Sequence, residues 1–128
     1  MICNNFYPNN FFLACTLTIA DKFPSLNEWY SSNNKFIRIR HKQKYKKILE
    51  RYLEHINVKL DFFYIELRYN NRLDCDNNIP IIKILCDELK EKNIIINDNN
   101  KYFKGLSMIY DNTLDKNTYV INIYNLKK

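Results

Sequence analysis

Five ionisable side chains between Arg72 and Tyr102 have the types and spacing to handle a phosphate ester: Asp74, Asp76, Lys83, Asp87 and Asp98. Asp74 and Asp76 lie two apart just beyond a predicted strand, where extended backbone would point both carboxylates the same way and let them share a hard cation. Lys83 and Asp87 are four apart, on one face of a predicted helix, and Asp98 follows in the connection to the next strand. Mg²⁺ takes oxygen ligands, keeps several waters and binds through a few carboxylates plus substrate phosphate, which suits this inventory. A plainer reading stands beside it: Asp-x-Asp is common turn chemistry, and a Lys–Asp pair on a helix is an ordinary surface pair. An EF-hand is excluded, because the loop starting at Asp74 has Ile79 where the tight turn needs Gly and Leu85 where the bidentate Glu belongs.

The rest of the composition narrows the field. Gly105 is the only glycine, so neither a phosphate-binding P-loop nor a dinucleotide fingerprint can be written. Cys3, Cys15, Cys75 and Cys86 form no CxxC pair, and His41 and His55 sit at no zinc-ligand spacing. The cysteines therefore read as small core or loop residues of a reduced, cytoplasmic protein. No basic segment precedes the apolar run Phe11 to Ala20, and no stretch reaches the roughly 20 residues that span a bilayer. At 128 residues with 46% hydrophobic side chains, the chain reads as a single domain (1–128), with the Asn-rich residues 1–10 a loose lead-in. Its net charge of +6 makes a polyanionic partner the first to consider.

The elements that must hold these residues follow from periodicity. Phe11 to Ile19 reads as a strand, and Asp21 to Trp29 breaks it. From about Asn34 to Ile56, Tyr45, Ile48, Leu49, Tyr52, Leu53 and Ile56 recur at helical steps. Val58 to Tyr69 has strand composition. Pro80 fits a first helical turn capped by Asn77 or Asn78, so a second helix is expected over Ile79 to Glu91. Tyr102 to Tyr110 and Thr118 to Tyr124 flank the turn-rich DNTLDKN and are expected to form a hairpin. The order β-α-β-α-β-β predicts an α+β fold, a four-stranded mixed sheet with two helices packed on one face.

The block RLDCDNNIPIIKILCDELKEKNIIINDNNKYF resembles the signature of the RusA-like Holliday junction resolvases. In that family an Asp-x-Asp-Asn is followed by a Lys, by an Asp four residues after it, and by an acidic pair before the next strand. The longer gap between Asn and Lys is that of phage and prophage members, and PSLNEWY (Pro24 to Tyr30) is similar to the family's Ser-x-Asn segment ahead of a basic helix. The resemblance spans about Thr16 to Ile123. It implies that Asp74, Asp76 and Asp98 bind Mg²⁺ (Mn²⁺ substituting), that Lys83 is the essential lysine, that Asp87 is a further acid near the metal, and that Asn77 orders the loop. It also implies a homodimer that nicks two strands of a four-way DNA junction symmetrically. Two departures from the pattern are Asn97 at the first acid of the pair and Asn93 at a usual Gly, a position Asn can fill in left-handed backbone.

The expected DNA contact is the run Lys35, Arg38, Arg40, Lys42, Lys44, Lys46 and Lys47, with no acid from Trp29 through Leu49. Beside carboxylates that repel DNA, such a run suits phosphate neutralisation, although a solvated helix face has the same composition. Trp29 and Tyr30 are candidate stacking residues. Two rival readings are a catalytically degenerate branched-nucleic-acid-binding protein and a plain interaction protein of an AT-rich genome.

Overall fold

The computed structural model describes residues 11–30 and 35–126, with the side chains of Ile37 and Arg38 outside the description. The expected loose lead-in over residues 1–10 lies outside the described residues. The elements are β1 (Phe11–Ile19), α1 (Leu26–Tyr30), α2 (Lys35–Leu53), β2 (Phe63–Asn70), a 3₁₀ turn (Cys75–Asn78), α3 (Ile79–Glu91), β3 (Phe103–Tyr110) and β4 (Thr118–Leu126). The fold is α+β, with one four-stranded mixed sheet in the order β1-β4-β2-β3.

Alternation along the strands sends Leu17, Ile19, Phe63, Ile65, Leu67, Tyr119, Ile121 and Ile123 into one core with Leu49 and Leu53 of α2 and Ile81, Ile82, Leu85 and Leu89 of α3. The other face carries a polar ladder: Thr16 donates to Asn122 (2.7 Å), Asn122 to Glu66 (3.0 Å), and Arg68 to Glu66 (2.7 Å) and Asp111 (3.3 Å). Gly105 leaves room on that face for the Cδ2–Cε2 side of the Tyr64 ring, from which a Cβ there would stand only 2.7 Å, so a larger residue would have to displace the ring.

α3 begins and ends where the sequence predicts, with Pro80 in its first turn. Its end is a Schellman motif: Asn93 takes a φ of 60°, its N–H reaches the Lys90 carbonyl (3.1 Å), and the Ile94 N–H reaches Leu89 (2.9 Å). α2 stops at Leu53, three residues short of Ile56, where the Ile56 N–H closes a tighter turn onto the Leu53 carbonyl (3.1 Å). β2 starts at Phe63 instead of Val58, because the chain before it bonds to the loop after α3, Leu60 N–H to the Ile94 carbonyl at 2.8 Å. α1 sits where the sequence showed only a break. Its start is a capping box, Glu28 N–H on Ser25 Oγ (3.1 Å) and Ser25 N–H on Glu28 Oε1 (3.3 Å).

The expected hairpin of the last two strands does not form. β3 pairs parallel with β2, while β4 pairs antiparallel with both β1 and β2. The physical reason is the α3 crossover, which returns the chain to the start of the sheet and lays β3 beside β2 in the same direction. β4, whose Tyr119, Ile121 and Ile123 are buried, takes the interior slot with a neighbour on each side. The connection 111–117 therefore arches over the end of β2, pinned by Asn70, which donates to the Leu114 carbonyl (2.6 Å) and accepts from the Asn117 N–H (2.6 Å).

Candidate active site at the end of the sheet

Beyond Asn70 the chain turns sharply. Asn71 accepts from the Leu73 N–H (3.0 Å) and donates to Asn78 Oδ1 (2.8 Å), while Asn78 donates to the Asp74 carbonyl (3.2 Å). Asn78 is 1% exposed, so these bonds are shielded from water. They clamp the two ends of the Asp74–Asn78 segment, with the Asn77 N–H on the Asp74 carbonyl (3.0 Å) inside it. The loop is thus ordered by Asn71 and Asn78 rather than by the Asn77 side chain. Asn78 occupies the cap position of α3 without a side-chain cap bond, its amide being committed to the clamp.

Asp74 and Asp76 project from this turn, both exposed. Only Asp74 is extended (φ −64°, ψ 158°); Asp76 lies inside the 3₁₀ turn, so the expected extended spacing does not hold across the pair. The Tyr69 hydroxyl still senses both. Burial pushes it up to about 12, helped by a hydrogen bond to Cys75 and by the negative charge of Asp74 and Asp76. Tyr69 therefore keeps its proton at neutral pH. α1 touches both the turn and α3, and across that contact Lys83 donates to the Tyr30 hydroxyl (2.7 Å) with its ammonium 5.4 Å from the ring centroid.

The remaining two acids stand elsewhere. Asp98 pairs with Lys90 (3.5 Å) and Asp87 with Lys42 (3.3 Å). Both add to the rise of the Cys86 thiol, which burial pushes up to about 12. Lys90 lies eleven residues along α3 from Ile79, about 16 Å of helical rise. α3 thus holds Asp98 beside its far half while Asp74 and Asp76 flank its start. Among the described residues no three His, Cys, Asp or Glu side chains stand close enough to hold one metal ion. The structure brings Asp74 and Asp76 together at one turn and does not bring Asp98 or Asp87 to them. A two-carboxylate turn fits Mg²⁺, which takes one or two carboxylates and fills its other positions with water and phosphate; it does not fit an all-protein cage.

The basic run lies on α2, but its cations differ in what they face. Lys42 reaches Asp87 and Lys46 reaches Glu91 (2.6 Å), tying α2 to α3. Lys44 lies over the ring of its neighbour Tyr45 (5.4 Å). Lys35, Arg40 and Lys47 are exposed, and the side chain of Arg38 lies outside the described residues.

A feature the sequence did not suggest opens beside the carboxylate turn. A cavity of about 480 Å³ is bounded by Lys22, by Asn71 and Arg72 on the approach to Asp74, by Tyr110 at the end of β3 and by Lys116 on the arch over β2. Its residues come from four separated segments, so no local motif marks it. No helix among the described residues is long and apolar enough to cross a membrane. No family model matches the chain, and no curated protein sequence is significantly similar to it.

Proposed function

We propose that this protein is a Mg²⁺-dependent, structure-specific endodeoxyribonuclease that resolves four-way DNA junctions by phosphodiester hydrolysis, in the manner of the RusA-like resolvases it resembles. The observation that carries the reading is the exposed Asp74–Asp76 turn, clamped by buried Asn78 and followed on α3 by Lys83, which is held by Tyr30, at the sheet end that also opens a cationic cavity. Asp74 and Asp76 would hold Mg²⁺ (Mn²⁺ substituting), which when bound supplies Lewis-acid polarisation of the phosphate and acidifies bound water. Lys83, oriented by Tyr30, neutralises charge developing on the phosphoryl oxygens. Paired nicks in strands of like polarity need two such sites, hence a homodimer, working in the cytoplasm where branched DNA arises. One observation favours the second reading, a catalytically degenerate binder of branched DNA: Asp98 is engaged by Lys90 and leaves the pair without a third acid.

Incubation of the protein with a labelled synthetic four-way junction decides between them. Paired nicks that require Mg²⁺ and are lost, on the order of 10²-fold or more, in Asp76→Asn are expected. Junction binding without nicks in either Mg²⁺ or Mn²⁺ would select the degenerate binder.

A further inference from the structure

The cavity beside the carboxylate turn has the chemistry of a nucleotide site. Its cations Lys22, Arg72 and Lys116 are exposed and make no ion pair among the described residues, unlike Lys42, Lys46 and Lys90. Glu28 is the one acid on its wall, and Phe23 and Tyr119 form an apolar floor. At the rim, Tyr110 is 56% exposed and its ring is held edge-on by Tyr69 at 5.9 Å between centroids. Single-stranded DNA is bound by this combination of cations that track the phosphates and an exposed ring on which a base stacks. The volume, about 480 Å³, is in the range of small-molecule sites and is large enough for one nucleotide. The order β1-β4-β2-β3 is what assembles it, since the 111–117 arch carries Lys116 across the end of β2 to Asn70 and Arg72.

We propose that this cavity receives one unpaired nucleotide of a DNA strand, its base stacked on Tyr110 and its flanking phosphates on Lys22, Arg72 and Lys116. The inference rests on the nuclease reading for its biological substrate, since an unpaired nucleotide next to Asp74 and Asp76 would set which phosphodiester bond is presented to them. It accounts for how a protein could recognise a branch point, where bases leave the stack, without a side-chain set for reading duplex edges.

The test is equilibrium binding of a fluorescein-labelled thymidylate hexamer, in EDTA so that no cleavage occurs. Tyr110→Ala is expected to weaken binding roughly 5- to 100-fold, the loss of one base–aromatic stack, and Tyr110→Phe to bind as wild type does. Lys116→Ala is expected to flatten the dependence of log K on log salt by about 0.7, one phosphate contact on a single strand. Thermal melting of each variant checks that it is folded. Unchanged affinity in a folded Tyr110→Ala, or a wild-type protein that does not bind the hexamer, overturns the proposal whatever the nicking assay gives. Hexamer binding that depends on Tyr110 in a protein that never nicks a junction would leave the cavity standing and remove the nuclease reading.

Discussion

Along α2, Lys42 and Lys46 reach across the surface to Asp87 and Glu91 of α3, whereas Lys22, Arg72 and Lys116, far apart in the chain, line one cavity with no ion pair among the described residues. The first set belongs to a run of seven cations that any reading of the sequence singles out; the second forms no run at all. Linear charge density counts cations without their partners, and acids brought in by a neighbouring helix cancel part of it. The potential that DNA meets depends on which charges the fold leaves unpaired and aims at one place.

The sharpest way to break this comparison is to delete each set in turn. The triple variant Lys22→Ala, Arg72→Ala, Lys116→Ala is expected to lose on the order of a hundredfold in junction affinity at low salt, and about 2 to 3 units of salt slope. The double variant Lys42→Ala, Lys46→Ala is expected to change the slope by less than about one unit, because these ammonium groups already have carboxylate partners. Equal slopes for the two variants, measured by anisotropy across a salt series, would erase the distinction. The clamp beneath the carboxylate turn comes next. Asn78→Ala leaves the Asn71 amide and the Asp74 carbonyl without their buried partner, so unfolding free energy should fall by about 1–3 kcal/mol in urea denaturation. A variant as stable as wild type would show that solvent replaces those bonds.

The smallest effect concerns the α2–α3 contact itself. Burial pushes the Glu88 carboxyl above its ordinary range, with Glu91 adding and Lys46 opposing. A carboxyl raised in the folded state contributes stability that is complete below its unfolded value, about 4.3, and is lost as pH rises through the raised one. Glu88→Gln removes that loss. It should therefore melt above wild type at about pH 7, and the gap should close near pH 4; a constant gap at both would assign the difference to packing.

Much of the architecture was legible because its signals are local. The limits of β1 and α3 follow from a short run of bulky aromatic and β-branched residues and from Pro80, and the turn at Asn93 from the tolerance of Asn for left-handed backbone. α1 was also written in the chain, as the Ser25–Glu28 capping box inside what looked only like a break. The site was half legible. Asp74 and Asp76 share one turn at the end of the sheet and Lys83 follows on α3 against Tyr30, while Asp98, adjacent to them by motif spacing, stands with Lys90 along the far half of α3. Spacing along a sequence does not register that a rigid helix carries the chain away by about 1.5 Å per residue.

By itself, the sequence determined the helices, the strands, the basic character and the Asp-x-Asp turn, all of which depend on residues near one another in the chain. Only the tertiary structure decided that β4 lies between β1 and β2, that Asn71 and Asn78 clamp the carboxylate turn, and that three scattered cations and Tyr110 share a cavity. Those outcomes depend on strand pairing between distant segments. Pairing is chosen by which order buries the apolar faces of all four strands and both long helices at once, a condition no single segment contains.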